Sequence, residues 1–284
     1  MSGETVIGID LGGTNVRAGL VEGGRLIDVR SVPVRSQGSE RDVLEDMFSA
    51  VDAVMRKGVA GIGAGVPSVI DLKKGVVYDV QNIRSWKKVP LKAYLEERYH
   101  LPVYVNNDAN CFAAGEKYFG KAKPYDHAVG LIVGTGLGAG VIANGRLYSG
   151  INCGAGEFGM LPYLDRNFEA YASGQFFGRV HGTSGREMAV RAERGDGRAL
   201  EIFAEFGVHV GEAVKAICYA VDPEVIVLGG SVSRSYRFFR ESLWKTFQSF
   251  AYSITKERLK IEVSETENVA LLGAAALYYD AQAK

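Results

Sequence analysis

The sequence predicts an α/β protein in which one fold occurs twice along the chain. Three observations support this: an internal repeat, strands that alternate with helices, and a glycine-rich turn at the matching place in each half. Strands that alternate with helices are typical of a largely parallel sheet with helices packed on it. With 284 residues, 47% of them hydrophobic, the chain has enough apolar material for two cores.

The internal repeat has an offset of 121 residues, measured from Gly13-Thr14 to Gly134-Thr135. Two further pairs of segments align at the same offset: Ala18-Gly19 with Ala139-Gly140, and Gly24-Arg25-Leu26 with Gly145-Arg146-Leu147. Chance explains this match poorly, because the matched positions keep both their order and their spacing. The repeat therefore predicts a duplicated fold with pseudo-twofold symmetry.

The first half of the chain begins with three strands and a helix. The predicted strands are Val6–Asp10, Val16–Val21, Leu26–Pro33, Gly61–Val66 and Val103–Asn106. Apolar residues at helical spacing predict a helix over Glu40–Lys57, with Ser39 as its N-cap and Asp42 at the third helical position. A second helix, Ala109–Tyr118, is expected to join the two halves.

The second half has a similar alternation of strands and helices. Its predicted strands are Ala128–Val133, Gly138–Ala143, Val225–Leu228 and Ile261–Val263, and its helices are Ala199–Tyr219, a stretch after Ser231, and Ala270–Tyr279. We expect an N-terminal lobe of residues 1–115 and 270–284, which carries the first glycine turn. The C-terminal lobe, residues 116–269, carries the second.

Composition and charge exclude several classes of function. Lys and Arg together number 33, as do Asp and Glu, so the formal net charge is zero. A protein that neutralises nucleic-acid phosphates normally has a basic excess, which makes nucleic acid an unexpected partner. No apolar run approaches the roughly 18 residues of a membrane span, and the N-terminus lacks the pattern of a signal peptide. We expect no membrane association and a cytoplasmic location.

The remaining candidate side chains have ordinary structural explanations. Cys111, Cys153 and Cys218 are far apart and form no C-x-x-C pair, which favours buried thiols in a reducing compartment over disulfides or a metal site. The histidines have no ligand spacing and are expected to be structural. The charged segment around Arg186 and Glu193 reads as a solvated helical face.

The first glycine-rich turn, from Asp10 to Thr14, directly follows an apolar strand. Gly12 and Gly13 allow backbone N–H groups to approach an anion, and Thr14 adds a hydroxyl donor. Asp10 can hold Mg²⁺, through water because this ion keeps much of its hydration shell. A tight hairpin turn would use the same residues, and the Gly-Lys-Ser/Thr of a Walker A loop is absent from the sequence.

A second such turn, Gly134-Thr135-Gly136, occupies the matching place in the second half. Two loops related by the repeat would face each other across a cleft and bind phosphate groups from both sides, which favours phosphate binding over a structural turn. A third turn, Gly229-Gly230, follows a strand and suits a flat adenine and ribose. Entry into a helix explains that third turn nearly as well.

The segment from Asn106 to Asn110 follows a predicted strand, where α/β sheets place their ligand sites. Phosphoryl transfer to a hydroxyl needs a group that accepts the hydroxyl proton. Asp108 suits this role of general base, and Asn107 can orient a sugar hydroxyl. Capping of the following helix also explains these residues, and both roles are compatible.

Together these segments resemble the ROK family (repressors, open reading frames, kinases). The resemblance rests on Asp10-Leu11-Gly12-Gly13-Thr14, Asn106-Asn107-Asp108-Ala109-Asn110, Gly134-Thr135-Gly136-Leu137-Gly138 and Gly156-Glu157-Phe158-Gly159, which occur in this order over nearly the whole chain. It implies a two-lobed actin-like ATPase (ribonuclease-H-like) fold with a duplicated βββαβαβα core. It also implies a sugar kinase that uses ATP and Mg²⁺.

The resemblance implies roles for individual side chains as well. Asp108 matches the catalytic base and Asn107 a sugar contact. Asn82 is similar to the sugar-binding asparagine of the family. Glu157 matches the glutamate of the Gly-Glu-x-Gly segment, and Glu169 matches a glutamate that contacts sugar hydroxyls.

The sequence departs from the family just before Glu169. Many members have a histidine and then a cysteine-rich zinc segment there, whereas Met160 stands in the histidine position and Leu161–Phe168 contains no cysteine. Because zinc typically takes four N or S ligands, we expect no structural zinc. The short loop must then be held by packing, for which Tyr163 and Phe168 are the candidates.

Met160 also leaves the acceptor open, because a thioether cannot donate a hydrogen bond to a hydroxyl as imidazole can. Glucose, another hexose, an N-acetylated hexosamine and a cyclitol such as inositol remain candidates. The choice of ATP over ADP or polyphosphate is also open, as is the oligomeric state, for which the family suggests a homodimer.

Two other functions compete with a kinase. A sugar-responsive repressor of this family needs an N-terminal DNA-binding domain; this chain enters its first strand at residue 6, so we expect no DNA binding. A non-catalytic sugar sensor or a chaperone-like ATPase is the remaining alternative. The presence of Asp108 beside Asn107 favours transfer to a hydroxyl over either.

Overall fold

The computed structural model describes residues 3–80 and 82–283, which group into two compact units. The first unit runs to Pro124 and includes Gly140–Ala155 and the chain from Glu265 on; the second consists of Tyr125–Ala139 and Gly156–Ser264. The units differ from the expected lobes chiefly at residues 140–155, which belong to the first. Gly140 shows why, since a Cβ added there would lie 2.6 Å from the Cβ of Ala113 in the same unit.

The elements are numbered in chain order. The strands are β1 (Thr5–Leu11), β2 (Asn15–Glu22), β3 (Arg25–Pro33), β4 (Val59–Val66), β5 (Val69–Asp71), β6 (Val76–Tyr78), β7 (Lys88–Val89), β8 (Val103–Asn107), β9 (Ala128–Val133), β10 (Leu137–Ala143), β11 (Arg146–Tyr148), β12 (Pro162–Tyr163), β13 (Arg166–Asn167), β14 (Val225–Gly229) and β15 (Lys260–Val263). The α-helices are α1 (Glu40–Val54), α2 (Leu91–Tyr99), α3 (Asp108–Phe119), α4 (Phe168–Ala172), α5 (Gln175–His181), α6 (Gly185–Glu193), α7 (Gly197–Val221), α8 (Tyr236–Phe247), α9 (Ser253–Arg258) and α10 (Val269–Gln282). Short 3₁₀-helices cover Phe158–Met160 and Val232–Ser235.

Two five-stranded sheets have the same strand order. One is β3-β2-β1-β4-β8 and the other is β11-β10-β9-β14-β15. In the first, β1 pairs with β4 and β4 with β8 in parallel, and in the second β9 pairs with β14 and β14 with β15 in parallel. The equivalent order confirms the duplication that the 121-residue repeat predicted.

The sheets are mixed, so the expectation of largely parallel sheets was wrong. Strand β1 pairs antiparallel with β2, β2 pairs antiparallel with β3, and β10 pairs antiparallel with β11. The physical reason lies in the connections. Short turns can join only antiparallel neighbours, whereas parallel neighbours need a crossover of a dozen or more residues.

The first unit has its apolar core between the sheet and helix α1. Val43, Met47, Val51 and Val54 are fully buried there at helical spacing. Ser39 caps the helix as predicted, since its side chain accepts from the Asp42 N–H while the Asp42 carboxylate accepts from the Ser39 N–H. The helix ends at residue 54, earlier than expected, because the backbone is already extended at residue 55.

The second unit contains the long helix α7 packed on α8. Gly207 and Gly211 of α7 allow close contact, since a Cβ added at Gly211 would lie 2.9 Å from the carbonyl oxygen of Leu243. Asp196 caps α7 by accepting from the Ala199 N–H at 3.1 Å. In the described part of the chain, no helix combines the length and apolar character that a bilayer crossing requires.

Candidate functional site

The first glycine turn connects β1 and β2. The Gly12 N–H donates to the Asn15 carbonyl at 2.9 Å and closes the turn. The antiparallel register places Asp10 opposite Arg17, and the Arg17 guanidinium donates to Asp10 Oδ2 from Nη2 at 2.6 Å and from Nε at 3.1 Å. Arg17 was not predicted as a site residue. The signal that could have identified it is its place opposite Asp10 in a hairpin of β1 and β2. Its charge offsets that of the carboxylate expected to attract Mg²⁺.

Asn82 lies directly against this first turn. A Cβ added at Gly13 would come within 2.8 Å of the Asn82 Cβ, so only glycine leaves room for the asparagine at that position. The neighbouring residues explain why Asn82 stays exposed: Ile83 and Trp86 are buried, and the Trp86 N–H donates to the Ile83 carbonyl at 3.0 Å. The first unit therefore brings the phosphate-loop candidate and the sugar-binding candidate together.

Asp108 is the first residue of α3, directly after β8. Although the residue reaches solvent, the surrounding protein removes part of the hydration of its carboxylate. This desolvation raises the pKa of Asp108 above its ordinary value, and the negative charge of Asp10 raises it further. The Ala109 N–H, which donates to Asp108 Oδ1 at 2.9 Å, opposes the shift. A carboxylate with a raised pKa is a better proton acceptor.

A buried amide network holds the strand end from which Asp108 follows. Asn106 Oδ1 accepts from the Asn107 N–H at 2.9 Å, from Asn110 Nδ2 at 2.8 Å and from Cys153 Sγ at 3.2 Å. Asn106 Nδ2 in turn donates to Ser149 Oγ at 3.0 Å. Within the described residues, Asn110 Oδ1 is buried and has no partner. The network is dense enough to fix the backbone on which Asp108 depends.

Asn107, the expected sugar contact, is largely buried and already makes two hydrogen bonds. Its Oδ1 accepts from the Asn110 N–H at 2.7 Å, which makes it the N-cap of α3. Its Nδ2 donates to the Cys153 carbonyl at 3.2 Å. An amide group has two N–H donors and two acceptor lone pairs, so one of each remains for a substrate.

The second glycine turn, residues 134–136, is held by the side chain of Glu169. Glu169 Oε2 accepts from the Leu137 N–H at 3.1 Å, and Glu169 Oε1 accepts from Gln175 Nε2 at 3.0 Å. Gly136 leaves no room for a side chain, because an added Cβ would lie 2.5 Å from Glu169 Oε2. Both oxygens of the expected sugar ligand therefore serve the neighbouring loop and α5.

Two further residues complete this support, and we call Glu169, Ser173, Gly174 and Gln175 the 169–175 clamp. The Gly174 N–H donates to the Gly134 carbonyl at 2.7 Å. Ser173 is fully buried, with its Oγ 3.1 Å from the Thr135 carbonyl and 2.6 Å from the Glu169 carbonyl. The clamp thus contacts the carbonyls of Gly134 and Thr135 and fixes the conformation of the turn from one side.

The third glycine turn lies next to the second. Gly230 has a φ of 84°, a conformation that favours glycine, and a Cβ added there would lie 3.0 Å from the Gly134 nitrogen. Ser233 Oγ donates to the Gly230 carbonyl at 2.8 Å and ties the turn to the following 3₁₀-helix. Gly229 is the last residue of β14.

A cavity of about 660 Å³ opens in the second unit between these turns and α6. It is lined by Gly134, Thr135, Gly174, Gln175, Gly185, Arg186, Ala189, Glu193, Ser231, Val232, Arg234 and Ser235. The volume lies within the range of about 300–1,000 Å³ that is usual for small-molecule sites. A nucleotide therefore fits by size.

Charged side chains line one side of this cavity. Arg186 and Glu193 are exposed, as expected for a solvated helical face, and the structure adds that both line the cavity. Arg234 lines it too and was not singled out. Glu193 accepts from Arg237 at 3.0 Å, whereas Arg186 and Arg234 have no ion-pair partner within the described residues. Only the tertiary structure could reveal this, because the lining comes from separate segments.

Glu157 directly precedes the 3₁₀-helix of residues 158–160, Met160 is its last residue, and both side chains are exposed. Met160 is 53% exposed, and its thioether lies 3.9 Å from Asn167 Nδ2. The short loop then forms the hairpin β12–β13, whose turn holds Leu164 at a φ of 51°. No turn residue in the sequence predicts this hairpin, because leucine is unusual in the left-handed region.

Aromatic packing holds the short loop, as the sequence predicted. The rings of Tyr163 and Phe168 stack with centroids 4.5 Å apart, and the Tyr163 hydroxyl is hydrogen-bonded to His209 Nδ1 at 3.0 Å. Burial raises the pKa of Tyr163 to about 12 and lowers the pKa of His209. His209 is therefore structural, as expected, and part of the support for the loop.

Asp10 is the candidate ligand for a metal ion. No group of three or more His, Cys, Asp or Glu side chains within residues 3–80 and 82–283 is arranged to hold a metal ion. A single carboxylate suffices for Mg²⁺ that keeps its water, and Asp10 offers one. Arg17 bonds to its Oδ2, so Oδ1 is the oxygen that a metal-bound water would reach.

The duplicated sheets, each with a glycine turn after its first strand, define an α/β protein of the actin-like ATPase class. The chain belongs to the ROK family, whose model matches residues 6–281.

Relatives of this family include both kinases and repressors. The glucokinase of Halalkalibacterium halodurans is 27% identical over 308 residues, which cover 95% of this chain and 93% of that protein. The xylose repressor of Bacillus subtilis is 28% identical, and the match covers 96% of this chain and 77% of the repressor. A ROK family glucokinase from Streptomyces griseus, solved in complex with glucose and AMPPNP, matches with a TM-score of 0.78 and 27% identity, over 96% of this chain and 98% of that one.

Proposed function

We propose that this protein is an ATP-dependent kinase that phosphorylates a hydroxyl of a small polyhydroxy acceptor. The observation that carries the proposal is the position of Asp108, which reaches solvent at the end of β8 with a raised pKa. Phosphoryl transfer to a hydroxyl needs a proton acceptor there. Membership of the ROK family and the likeness to two glucokinases support the same reaction.

The acceptor is a hexose such as glucose, an N-acetylated hexosamine or a cyclitol such as inositol. Asn82, Asn107, Glu157 and Glu169 bind its hydroxyls. Support comes from the exposed Asn82 beside the first glycine turn and from the donor and lone pair that Asn107 keeps free. Exposed Met160 presents a thioether, which favours an acceptor with an apolar or acylated group at that point.

The donor is ATP, held by the three glycine turns. Thr135 and Gly136 offer backbone and hydroxyl donors to its phosphates, and Gly134 closes the turn with an N–H that donates to the Gly136 carbonyl at 3.0 Å. Gly229 and Gly230 leave room for its adenosine. The cavity of about 660 Å³ beside these turns has the size for it. Gly12, Gly13 and Thr14 would also serve phosphate groups, and Asp10 would hold a magnesium ion through water. Bound Mg²⁺ neutralises charge on the transferred phosphoryl group.

In this mechanism, Asp108 is the base, and the acceptor contacts are the four side chains named above. Asn107 orients the acceptor hydroxyl, and Asp108 takes its proton as the hydroxyl oxygen bonds to the terminal phosphorus of ATP. The bond from that phosphorus to the bridging oxygen breaks, and ADP is the leaving group. The protonated Asp108 then releases the proton to solvent, to which the residue is exposed. Positioning and charge neutralisation supply most of the rate enhancement in such reactions.

A non-catalytic sugar-sensing regulator is the second candidate, and the match to a xylose repressor over 96% of this chain favours it. A sensor needs acceptor binding but no base. The raised pKa of Asp108 gives the kinase precedence, because a purely structural N-terminal carboxylate of a helix would normally have a lowered pKa.

The experiment that separates the two candidates is a screen of hexoses, N-acetylated hexosamines and cyclitols with Mg-ATP, read by ADP release. A kinase gives ADP release that depends on one class of acceptor. If no polyol stimulates ADP release while one of them still binds, the sensor replaces the kinase. The same screen with ADP or polyphosphate in place of ATP, read by formation of the phosphorylated acceptor, tests which phosphoryl donor is used.

A further inference from the structure

Gln175 takes part in two sites at once. It is a half-buried residue at the start of α5, and it lines the cavity of about 660 Å³ proposed for the donor. From that place its Nε2 donates to Glu169 Oε1 at 3.0 Å. The other oxygen of the same carboxylate accepts from Leu137, the residue that follows the second glycine turn.

The rest of the clamp prevents Gln175 from moving independently. The Gln175 N–H donates to Ser173 Oγ at 3.2 Å, and Ser173 is fully buried against the Thr135 carbonyl. The side-chain amide is therefore attached to a fixed backbone. Because the amide is held at its base and bonded at its tip, a molecule that contacts it in the cavity acts on the Glu169 carboxylate.

We propose that Gln175 is a positioning residue that makes donor binding and acceptor binding depend on each other through the carboxylate of Glu169. The inference rests on the proposed function, in which Glu169 accepts hydrogen bonds from acceptor hydroxyls. A carboxylate has about four lone-pair sites, so two remain for hydroxyls when Leu137 and Gln175 occupy the others. Donor contact with Gln175 fixes the plane of the carboxylate and with it the direction of those two sites.

This arrangement makes a reciprocal demand on affinity. If the donor orders the carboxylate, it tightens acceptor binding, and the acceptor must tighten donor binding by the same factor. Coupling of this kind typically amounts to about 5–150-fold. Gln175→Met removes the amide donor at similar side-chain volume, so we expect the coupling factor to fall towards about 1, with little change in acceptor affinity without nucleotide.

Gln175→Glu gives a rescue that a merely structural role would not produce. At neutral pH its carboxylate faces that of Glu169, and the repulsion abolishes the hydrogen bond. When the pH falls, one of the two carboxyls takes up a proton and can donate to the other. The coupling is therefore lost at neutral pH and regained in acid for this variant alone.

The test is calorimetric titration of the full chain with D-glucose, N-acetyl-D-glucosamine and myo-inositol, with and without AMPPNP and Mg²⁺. Arg186→Met is the matched control, because Arg186 lines the same cavity and makes no hydrogen bond to Glu169. We expect Arg186→Met to weaken AMPPNP binding but to have the same coupling factor as the wild type. Thermal unfolding of each variant checks that it is folded.

Loss of coupling in Gln175→Met, with recovery in acid for Gln175→Glu, supports the inference. Equal coupling in wild type and Gln175→Met, or no coupling in the wild type, overturns it while acceptor binding still supports the proposed function. If none of the three acceptors binds in either condition, the proposed function fails for these acceptors and the inference fails with it.

Discussion

The Leu137 backbone N–H donates a hydrogen bond to Glu169 Oε2 at 3.1 Å. Glu169 is the glutamate expected to contact the acceptor, and Leu137 follows directly on the turn expected to hold the donor phosphates. Gly136 lies between them without a side chain, since a Cβ there would stand 2.5 Å from the same oxygen. One carboxylate thus connects two functions that the sequence analysis treated separately.

Replacement of Gly136 tests this contact. Gly136→Ala forces the Glu169 carboxylate to shift, because the three atoms nearest to the added Cβ all belong to that carboxylate. We expect a loss of about 1–3 kcal/mol in the free energy of unfolding, the usual scale for a disrupted hydrogen bond to a charged group. Gly134→Ala is the control, since no atom lies within 4 Å of its added Cβ. The free energy of unfolding of both variants is measured in urea without ligand. Equal values for Gly136→Ala and Gly134→Ala would contradict the contact.

Asp108→Asn tests the general base. The amide keeps the size of the side chain but cannot accept the hydroxyl proton, so we expect kcat to fall by about 10²–10⁴-fold while acceptor and nucleotide still bind. Steady-state kinetics and binding titrations measure the two effects. Asp28→Asn is a suitable control, because Asp28 lies on β3 and its carboxylate forms an ion pair with Arg56. Full activity in Asp108→Asn would remove Asp108 from the reaction.

The raised pKa of Asp108 predicts the acid side of the pH profile. The ionised form is the active one, so activity is lost as the pH falls through the pKa of Asp108 in the folded protein. Desolvation raises that pKa, and the acid limb of kcat/KM should therefore lie above the value of about 3.9 of an ordinary aspartate. The residual activity of Asp108→Asn should lack this limb. If the acid limb of kcat/KM persists in Asp108→Asn, the titrating group is a residue other than Asp108.

His209 predicts a pH dependence of stability. Burial lowers its pKa from 6.5, against the opposing charges of Glu205 and Glu212, so protonation favours the unfolded chain. Its contribution to stability is complete above pH 6.5 and is lost as the pH falls from there towards the lower folded pKa. His209→Gln should flatten the dependence in urea unfolding between those pH values. His100→Asn, at the exposed end of α2, should leave it unchanged. An unchanged slope in His209→Gln would exclude this assignment.

The sequence predicted the main elements well because they have strong local signals. Helix α1 shows apolar residues at helical spacing and a capping box at Ser39, and its start was placed correctly. The strands around each glycine turn are apolar runs bounded by turn residues. The share of parallel pairing was overestimated, because the alternation of strands and helices indicates parallel pairs whereas the first glycine turn joins β1 and β2 as antiparallel neighbours.

The small elements around the candidate site were harder to predict. The hairpin β12–β13 has two residues per strand and a leucine in its turn, so neither periodicity nor turn chemistry indicates it. The cavity residues Arg186 and Arg234 lie on segments that are far apart in the chain. Arg17 was within reach of the sequence, because a hairpin between β1 and β2 sets it opposite Asp10.

The sequence by itself determined the duplicated α/β fold, the three glycine turns, Asp108 as the candidate base and the missing zinc segment. These follow from local chemistry: glycine where backbone must approach an anion, Asn and Asp where a helix begins, and the absence of cysteine before Glu169. The tertiary structure alone decided how Glu169 is used. Its oxygens bond to Leu137 and Gln175, and such a contact depends on where segments distant in the chain come to lie once the core has packed.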